Sequence, residues 1–172
     1  DFIVEKIFID GISLEPNQYI KTKETITLLN VPNNFLLSVI STCEPQNNTA
    51  LEGLYKSSGN FCTQCEAEGF RRITYYMDRP DVLTVFTTRI EADKALYPNL
   101  LSNGNAIESG NLEDNRHFVT WHDPHPKPCY LFALVAGDLH CHEDSFKTMS
   151  GRQVALKIFV DHKNADKCDY AL

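Results

Sequence analysis

The sequence predicts an all-β domain, built as a sandwich or as a saddle-like sheet. Short segments in which apolar and polar residues alternate recur along the chain, and a period of two is typical of strands with one buried face. Residue types that favour strands are abundant, since the chain holds 32 Val, Ile and Thr residues and 18 aromatic residues. Glycine and proline separate the segments at intervals, which indicates many short strands joined by turns.

Four strands are predicted in the N-terminal half. In Phe2–Ile9, Ile3, Ile7 and Ile9 stand among polar partners until an Asp-Gly turn at residues 10–11 ends the run. Thr25–Leu29 and Phe35–Ser41 are predicted as two more strands, separated by a stretch that contains asparagine and proline. Val82–Ile90 is rich in Val, Phe, Thr and Ile, which are good strand formers.

Three strands are predicted in the C-terminal half. Phe118–Trp121 is short, and Val154–Val160 alternates along its length. Tyr130–Ala136 is almost wholly apolar, so we expect it to be buried on both faces. The proline-rich residues 123–128 are expected to lead into this strand in an extended conformation.

A single short helix is predicted over Glu66–Ile73. Alanine, glutamate and arginine favour it, although Gly69 weakens it. No internal repeat, low-complexity tract or linker is visible, so residues 1–172 are expected to form a single β domain.

The charge balance restricts the class of partner. The chain has 16 Lys and Arg against 23 Asp and Glu, a net charge of −7, whereas nucleic acids and anionic membranes bind basic surfaces. No stretch approaches the roughly 20 apolar residues of a spanning helix. We therefore expect neither a nucleic acid nor a membrane as partner.

The cysteine content and the N-terminus predict a cytoplasmic protein. Six cysteines in 172 residues are too few for a disulfide scaffold, so reduced thiols are expected. The chain opens with Asp1 and shows no basic start followed by an apolar run, so no signal peptide is expected. Because the first residue is not Met, the chain is also expected to be a piece of a longer protein.

Metal ligands are present but not in a recognised spacing. His140, Cys141 and His142 could form a zinc site with Cys62 and Cys65, but on a strand Cys141 would point away from the two histidines. The five residues from His142 begin like the zincin HExxH motif, but position 146 is Phe, so one ligand is missing. We predict no metal site in this chain.

Nucleophilic catalysis is not predicted either. The chain has no Gly-x-Ser-x-Gly elbow and no P-loop. Cys62 and Cys65 form a CxxC pair, but a thioredoxin-like redox site needs a βαβ unit. A small zinc or redox-thiol protein nevertheless stays open as an alternative.

Acidic, basic and aromatic residues crowd together in residues 62–80. Gln64 and Glu66 stand two residues apart at the end of a predicted strand, so their side chains point to one side. Amide and carboxylate oxygens suit a ligand ammonium group. The alternative from the residues alone is ordinary surface pairing at the start of a short helix.

The same region carries a resemblance to a known family. The blocks that carry it are long and specific, and they are 49–55, 62–83, 92–94, 97–98, 100–105 and 127–138, beginning with Thr49-Ala50-Leu51-Glu52-Gly53-Leu54-Tyr55 and Cys62-Thr63-Gln64-Cys65-Glu66-Ala67-Glu68-Gly69. They closely resemble the bacterial aminopeptidase branch of the M1 zinc metallopeptidases, and the likeness covers nearly the whole chain.

The resemblance implies a fold and a function. The region corresponds to the family's N-terminal β domain, a saddle of strands over a catalytic domain that this chain lacks. The parent enzyme would release N-terminal residues from peptides, with zinc polarising the carbonyl and activating a water, and with the HExxH glutamate as general base. This fragment holds no zinc ligand set, so it is expected to be catalytically inert and free of cofactor.

The resemblance also implies roles for individual residues. Glu66 would bind the free α-ammonium group of a peptide substrate, and Gln64 would line the first specificity pocket. Phe70, Arg71 and the stretch 78–80 match the family's scaffold and are assigned a structural role. A non-catalytic β module that binds a peptide or a protein is the alternative function.

Overall fold

Strands dominate the structure, and no α-helix occurs in residues 3–169, the part of the chain that the computed structural model describes. The strands are β1 (Ile3–Ile9), β2 (Ile12–Ser13), β3 (Tyr19–Lys21), β4 (Ile26–Leu28), β5 (Leu37–Thr42), β6 (Gly53–Ser57), β7 (Asn60–Gln64), β8 (Thr84–Asp93), β9 (Asn99–Ser102), β10 (Asn105–Asn111), β11 (Arg116–Lys127), β12 (Leu134–Gly137), β13 (His140–Lys147) and β14 (Gln153–Val160). Four 3-10 segments cover Pro45–Asn47, Phe70–Arg72, Cys129–Leu131 and His162–Lys167. The all-β prediction is confirmed. Within the same residues, no helix is long and apolar enough to cross a bilayer.

All strand pairs are antiparallel, and they form three sheets and two hairpins. The sheets have the strand orders β6-β7-β12-β9, β10-β11-β8 and β2-β1-β5, and the hairpins are β3-β4 and β13-β14. Antiparallel pairs can be joined by short turns, as expected for a chain with frequent glycine and proline. One such turn is the predicted Asp-Gly pair at residues 10–11, where both residues have positive φ.

The main core lies where the sheet that contains β7, β12 and β9 faces the sheet that contains β8 and β11. Ile90, Leu100 and Ala136 are buried there, and Trp121 donates a hydrogen bond from Nε1 to the Leu100 carbonyl over 3.0 Å. Six half-buried side chains complete this cluster: Phe61, Ala92, Tyr97, Val119, Trp121 and Leu134.

A second cluster supports the segment between β7 and β8. Cys65, Phe70 and Cys129 are buried in it, and Phe70 packs edge-on against Tyr76 and Phe132 with ring centroids 4.9 and 5.1 Å apart. Edge-to-face aromatic pairs contribute about 0.5–1.5 kcal/mol each beyond the area that they bury. This aromatic cluster therefore packs against the segment after β7 and stabilises it.

Most predicted strands are present, with shifted ends. β1, β4, β5, β8 and β14 correspond to predicted strands, although Phe2 lies outside the described residues. The prediction for Phe118–Trp121 was too short, because β11 runs for 12 residues. Its two prolines fit because the register shifts between Asp123 and Lys127, so they fall at a bulge where no ladder hydrogen bond is lost.

The prediction for Tyr130–Ala136 was wrong in its first half. Cys129–Leu131 is a 3-10 turn, in which the Leu131 amide bonds to the Pro128 carbonyl, and β12 begins only at Leu134. Leu131 is 49% exposed, so this half is not buried on both faces. An apolar run does not by itself distinguish a buried strand from a turn.

The predicted helix over Glu66–Ile73 was also wrong. Residues 66–69 form a turn, and Phe70–Arg72 is the part of this stretch that forms a helical segment, of the 3-10 kind. The reason is that the Arg71 amide donates to the carboxylate of Asp78 instead of to the carbonyl four residues earlier.

Candidate functional site

The structure brings the two predicted site residues together at the end of β7. Gln64 is the last residue of the strand, and Glu66 follows in the turn. Both side chains are exposed, whereas Cys65 between them is 3% exposed and faces the core. The Gln64 amide donates from Nε2 to the Glu66 backbone carbonyl over 3.0 Å. This hydrogen bond fixes the start of the turn and involves neither oxygen of the Glu66 carboxylate.

Glu66 lines a surface cleft of about 250 Å³. The lining residues are Glu66, Ala67, Glu68, Asp78, Pro80 and Tyr130. Three of the six are acidic and none is basic, so the cleft suits a cationic ligand. Gln64 lies beside this cleft but is not among its lining residues.

Arg71 compensates two of the three carboxylates. Its Nε lies 3.0 Å from Oδ2 of Asp78, and its NH1 lies 3.4 Å from Oε2 of Glu68. Within residues 3–169, Glu66 has neither an ion pair nor a side-chain hydrogen bond. The carboxylate of Glu66 is therefore the one that stays available to a ligand.

Asp78 is a buried charge with four hydrogen-bond donors around it. Its Oδ2 accepts from the backbone amide and from Nε of Arg71, its backbone carbonyl accepts from NH2 of Arg71, and its Oδ1 accepts from Sγ of Cys129. Burial alone would raise the pKa of Asp78, but the bonds from Cys129 and Arg71 outweigh it, so the pKa lies below its ordinary value. Asp78 is thus ionised at neutral pH although only 7% of the residue is exposed.

The turn that carries Glu66 fits tightly against β7. The Gly69 amide donates to the Cys65 carbonyl over 2.8 Å, and a Cβ atom on Gly69 would lie 2.2 Å from the Gln64 carbonyl oxygen. The peptide bond between Glu66 and Ala67 is cis. Glycine is required at position 69 because a side chain has no space there. Its backbone conformation does not require glycine, since a φ of −79° is open to any residue.

Exposed apolar side chains flank the cleft in the sequence. Met77 and Leu131, which adjoin the lining residues Asp78 and Tyr130, are 69% and 49% exposed, and Leu83 is 61% exposed.

The histidines and cysteines do not form a metal centre. No group of three or more His, Cys, Asp and Glu side chains in residues 3–169 is placed to hold a metal ion. His140 and His142 lie on β13 with ring centroids 6.5 Å apart, and Cys62 and Cys65 carry free thiols, of which only the second is in the core. The zincin-like segment from His142 to Phe146 is part of a strand, so its side chains lack the helical spacing of HExxH.

A larger concavity of about 660 Å³ lies elsewhere, at the turn between β10 and β11. It is lined by Asn111, Leu112, Glu113, Asp114 and Arg116, and it contains neither Gln64 nor Glu66. Because a single hairpin turn lines it, it does not surround a ligand.

Three residues of the cleft region were not predicted as parts of the site. Tyr130 was placed inside a strand, and Arg71 and Asp78 were given only a scaffold role. The proline at position 128 was a signal for the turn that presents Tyr130. Nothing in the sequence pairs Asp78 with Cys129, because the two are 51 residues apart.

Comparison with known proteins points to one family. The peptidase M1 N-terminal domain family matches residues 3–131. Aminopeptidase N of Escherichia coli (strain K12) is 58% identical over 147 residues, which are 86% of this chain and 17% of that protein. Aminopeptidase N of Caulobacter vibrioides is 55% identical over 166 residues, which are 96% of this chain and 19% of that protein. The chain thus spans about one fifth of the length of these curated relatives.

Solved structures agree with the sequence relatives. Legionella pneumophila aminopeptidase A, in complex with aspartic acid, matches with a TM-score of 0.93 and 39% identity over 99% of this chain and 20% of that one. An M1 zinc metallopeptidase from Deinococcus radiodurans, bound to a Tyr-Ser-Ala substrate, matches with a TM-score of 0.76 over 94% of this chain and 38% of that one. At 16% identity, the second match shows a shared fold alone.

Proposed function

The chain belongs to the peptidase M1 N-terminal domain family, and on this premise we propose that it binds the N-terminus of peptide substrates within a zinc aminopeptidase. The parent enzyme would release N-terminal amino acids from peptides. The names of the relatives support this activity, which the whole protein and not the chain alone would perform.

The observation that carries the proposal is the unpaired carboxylate of Glu66. It lines an acidic cleft in which Arg71 already compensates Glu68 and Asp78. A substrate ammonium group would supply the missing positive charge and form charge-assisted hydrogen bonds to this carboxylate. An acylated N-terminus has no charge and would leave Glu66 desolvated and unpaired. Selectivity for free N-termini follows from that difference.

Gln64 would act beside Glu66 without contacting the ammonium group. Its amide is neutral and is bonded to the Glu66 carbonyl. A neutral side chain at the rim of the cleft suits contact with the first residue of the substrate, so we assign Gln64 to the first specificity pocket.

The zinc ion would be held by a part of the protein outside this chain. The donors among residues 3–169 do not fit a zinc site, since no three of them converge. We therefore assign no catalytic residue to the chain and propose that it is inert without the rest of the enzyme. We likewise propose that zinc is a cofactor of the parent enzyme and that this chain alone binds none.

The rest of the enzyme is also the proposed partner at the cleft. The relatives are about five times longer than this chain, and Met77 and Leu131, which adjoin lining residues of the Glu66 cleft in the sequence, are exposed. A catalytic domain seated there would close the cleft and shield Glu66 from water. We propose that residues 1–172 form a single β domain in that assembly.

A cytoplasmic location fits the cysteines. All six carry free thiols, and Cys65 and Cys129 are buried side by side in one core cluster. Reducing compartments preserve such thiols. The proposal therefore includes a cytoplasmic enzyme, which cell fractionation would test.

The test is the substitution Glu66→Gln in the full-length protein. An alanyl anilide with a free amine reports the activity, and loss of a charged hydrogen bond should lower kcat/KM by about 10-fold to 100-fold or more. Glu68→Gln is the matched control, because this carboxylate lines the same cleft but is already paired with Arg71. Zinc content should be unchanged in both variants.

Two results would contradict the proposal. Equal kinetics of the Glu66→Gln variant and the unmodified enzyme would remove the role of Glu66. Full-length protein without any peptidase activity on free-amine substrates, but with specific binding of peptides, would favour the alternative of a non-catalytic binding module.

A further inference from the structure

We propose that Asp78 is a positioning residue that holds Glu66 in its binding geometry and acts through Arg71. This inference rests on the proposed function of Glu66 and concerns how the fold presents that side chain. Asp78 itself is almost fully buried in the wall of the cleft, and its carboxylate oxygens are already occupied by protein donors.

Residues 65–78 form a loop with two successive hydrogen-bonded closures, the second of which is made by Asp78. The loop begins at Cys65, whose carbonyl accepts the Gly69 amide, and it ends at Asp78, which binds the backbone and the guanidinium of Arg71. Glu66 lies inside the first of these closures, residues 65–69, and the second, residues 71–78, follows directly after it. The turn that carries Glu66 is thus held at its C-terminal side by the contacts of Arg71 with Asp78.

Cys129 connects this closed loop to the body of the domain. Its Sγ donates to Oδ1 of Asp78 over 2.9 Å, and Cys129 is the first residue of the 3-10 turn that presents Tyr130 to the cleft. The carboxylate of Asp78 therefore joins the loop that carries Glu66 to the chain segment that carries Tyr130. Displacing it would move the Glu66 turn relative to the Tyr130 wall.

The same interaction selects which carboxylate is free. The guanidinium of Arg71 lies between Asp78 and Glu68, so both of these negative charges are compensated within the loop. If the Arg71 guanidinium were released, the exposed carboxylates of Glu66 and Glu68 would compete for a single substrate ammonium group, and it would no longer be directed to Glu66. Asp78 holds Arg71 in place because it accepts three hydrogen bonds from that residue.

A double-mutant cycle between Asp78→Asn and Glu66→Gln in the full-length enzyme tests this role. For an alanyl anilide, Asp78→Asn should raise KM by about 10-fold. A merely structural loss of folded enzyme would lower the apparent kcat and leave KM unchanged. In the Glu66→Gln background, Asp78→Asn should cause no further rise in KM, because it acts only through Glu66.

If the Asp78→Asn variant does not fold, the Arg71→Lys variant tests the same positioning role. The Arg71 side chain is half exposed, and lysine retains the charge but cannot donate from a planar fork to the side chain and the carbonyl of Asp78 together. We expect KM to rise in this variant as well, again only when Glu66 is present.

The outcomes separate this inference from the proposed function. Additive increases in KM, or an unchanged KM in Asp78→Asn and Arg71→Lys, would overturn the positioning role while Glu66 keeps its function. If Glu66→Gln itself left KM and kcat unchanged, the proposed function would fail, and this inference would fail with it.

Discussion

Cys129 donates its thiol hydrogen to Oδ1 of Asp78 over 2.9 Å, although the two residues are 51 positions apart in the chain. Only 1% of Cys129 is exposed. Ionising this thiol would bury a second negative charge beside an aspartate. Burial and this neighbour raise the pKa of Cys129 to about 12. Burial likewise raises the pKa of Cys65, in the same cluster, to about 11.

The two buried thiols predict a loss of stability at alkaline pH. An unfolded cysteine titrates near pH 8.5, well below both folded-state values. Their contribution is therefore complete below about pH 8.5, and it falls as the pH rises towards 11 or 12, by at most about 1.4 kcal/mol per pH unit for each thiol. Denaturant unfolding of the purified protein between pH 7 and pH 11 measures this loss.

Cys129→Ser is the control for the alkaline prediction. A serine hydroxyl can still donate to Asp78 but does not ionise in this range. The variant should lose stability less steeply with pH than the unmodified protein. If the free energy of unfolding fell with pH at the same rate in both proteins, Cys129 would have no role in the loss of stability at alkaline pH.

Local patterning was sufficient to predict much of the fold. In Val154–Val160, large aliphatic residues at every second position alternate with Ala155, Lys157 and Phe159, and β14 occupies Gln153–Val160. The same alternation placed Gln64 and Glu66 on one side at a strand end, with buried Cys65 between them. Where one face of a strand is buried, hydrophobic periodicity is enough to predict the strand and the side to which each of its residues points.

Long-range contacts account for what patterning did not predict. The helix predicted over Glu66–Ile73 fails because Asp78 takes the Arg71 amide. The strand β13 was not predicted because its charged residues mostly face solvent, as the exposed side chains from Glu143 to Lys147 show. No local signal distinguishes such a strand from a loop, since it is defined by its register against β14.

The aromatic packing around Phe70 predicts that Phe70→Ala strongly lowers the free energy of unfolding. Phe70 is 6% exposed and packs edge-on against Tyr76 and Phe132. Removing its ring leaves a cavity, and such substitutions cost about 3–5 kcal/mol. Phe146→Ala is the matched control, because Phe146 is 57% exposed on β13 and should change the free energy of unfolding by less than about 0.5 kcal/mol. Comparable losses in the two variants, measured by denaturant unfolding, would argue against this core.

Gly69→Ala should damage both stability and substrate binding, because the added methyl group has no space. A Cβ at this position would lie 2.2 Å from the Gln64 carbonyl oxygen and 3.0 Å from the Gly53 amide nitrogen, and backbone atoms cannot rotate away as a side chain does. We expect a loss of about 3 kcal/mol or more in the free energy of unfolding. In full-length enzyme that still folds, KM should rise because the turn that carries Glu66 is displaced.

Gly59→Ala separates this steric effect from the general cost of replacing a glycine. Gly59 has a φ of +89°, but a Cβ there would meet no atom within 4 Å, so only backbone strain of about 1–2 kcal/mol is expected. KM should stay unchanged in this variant, because the five residues of β7 separate Gly59 from Cys65, where the loop that holds Glu66 begins. A KM that rises equally in both variants would show that stability, and not the contact between Gly69 and Gln64, controls the site.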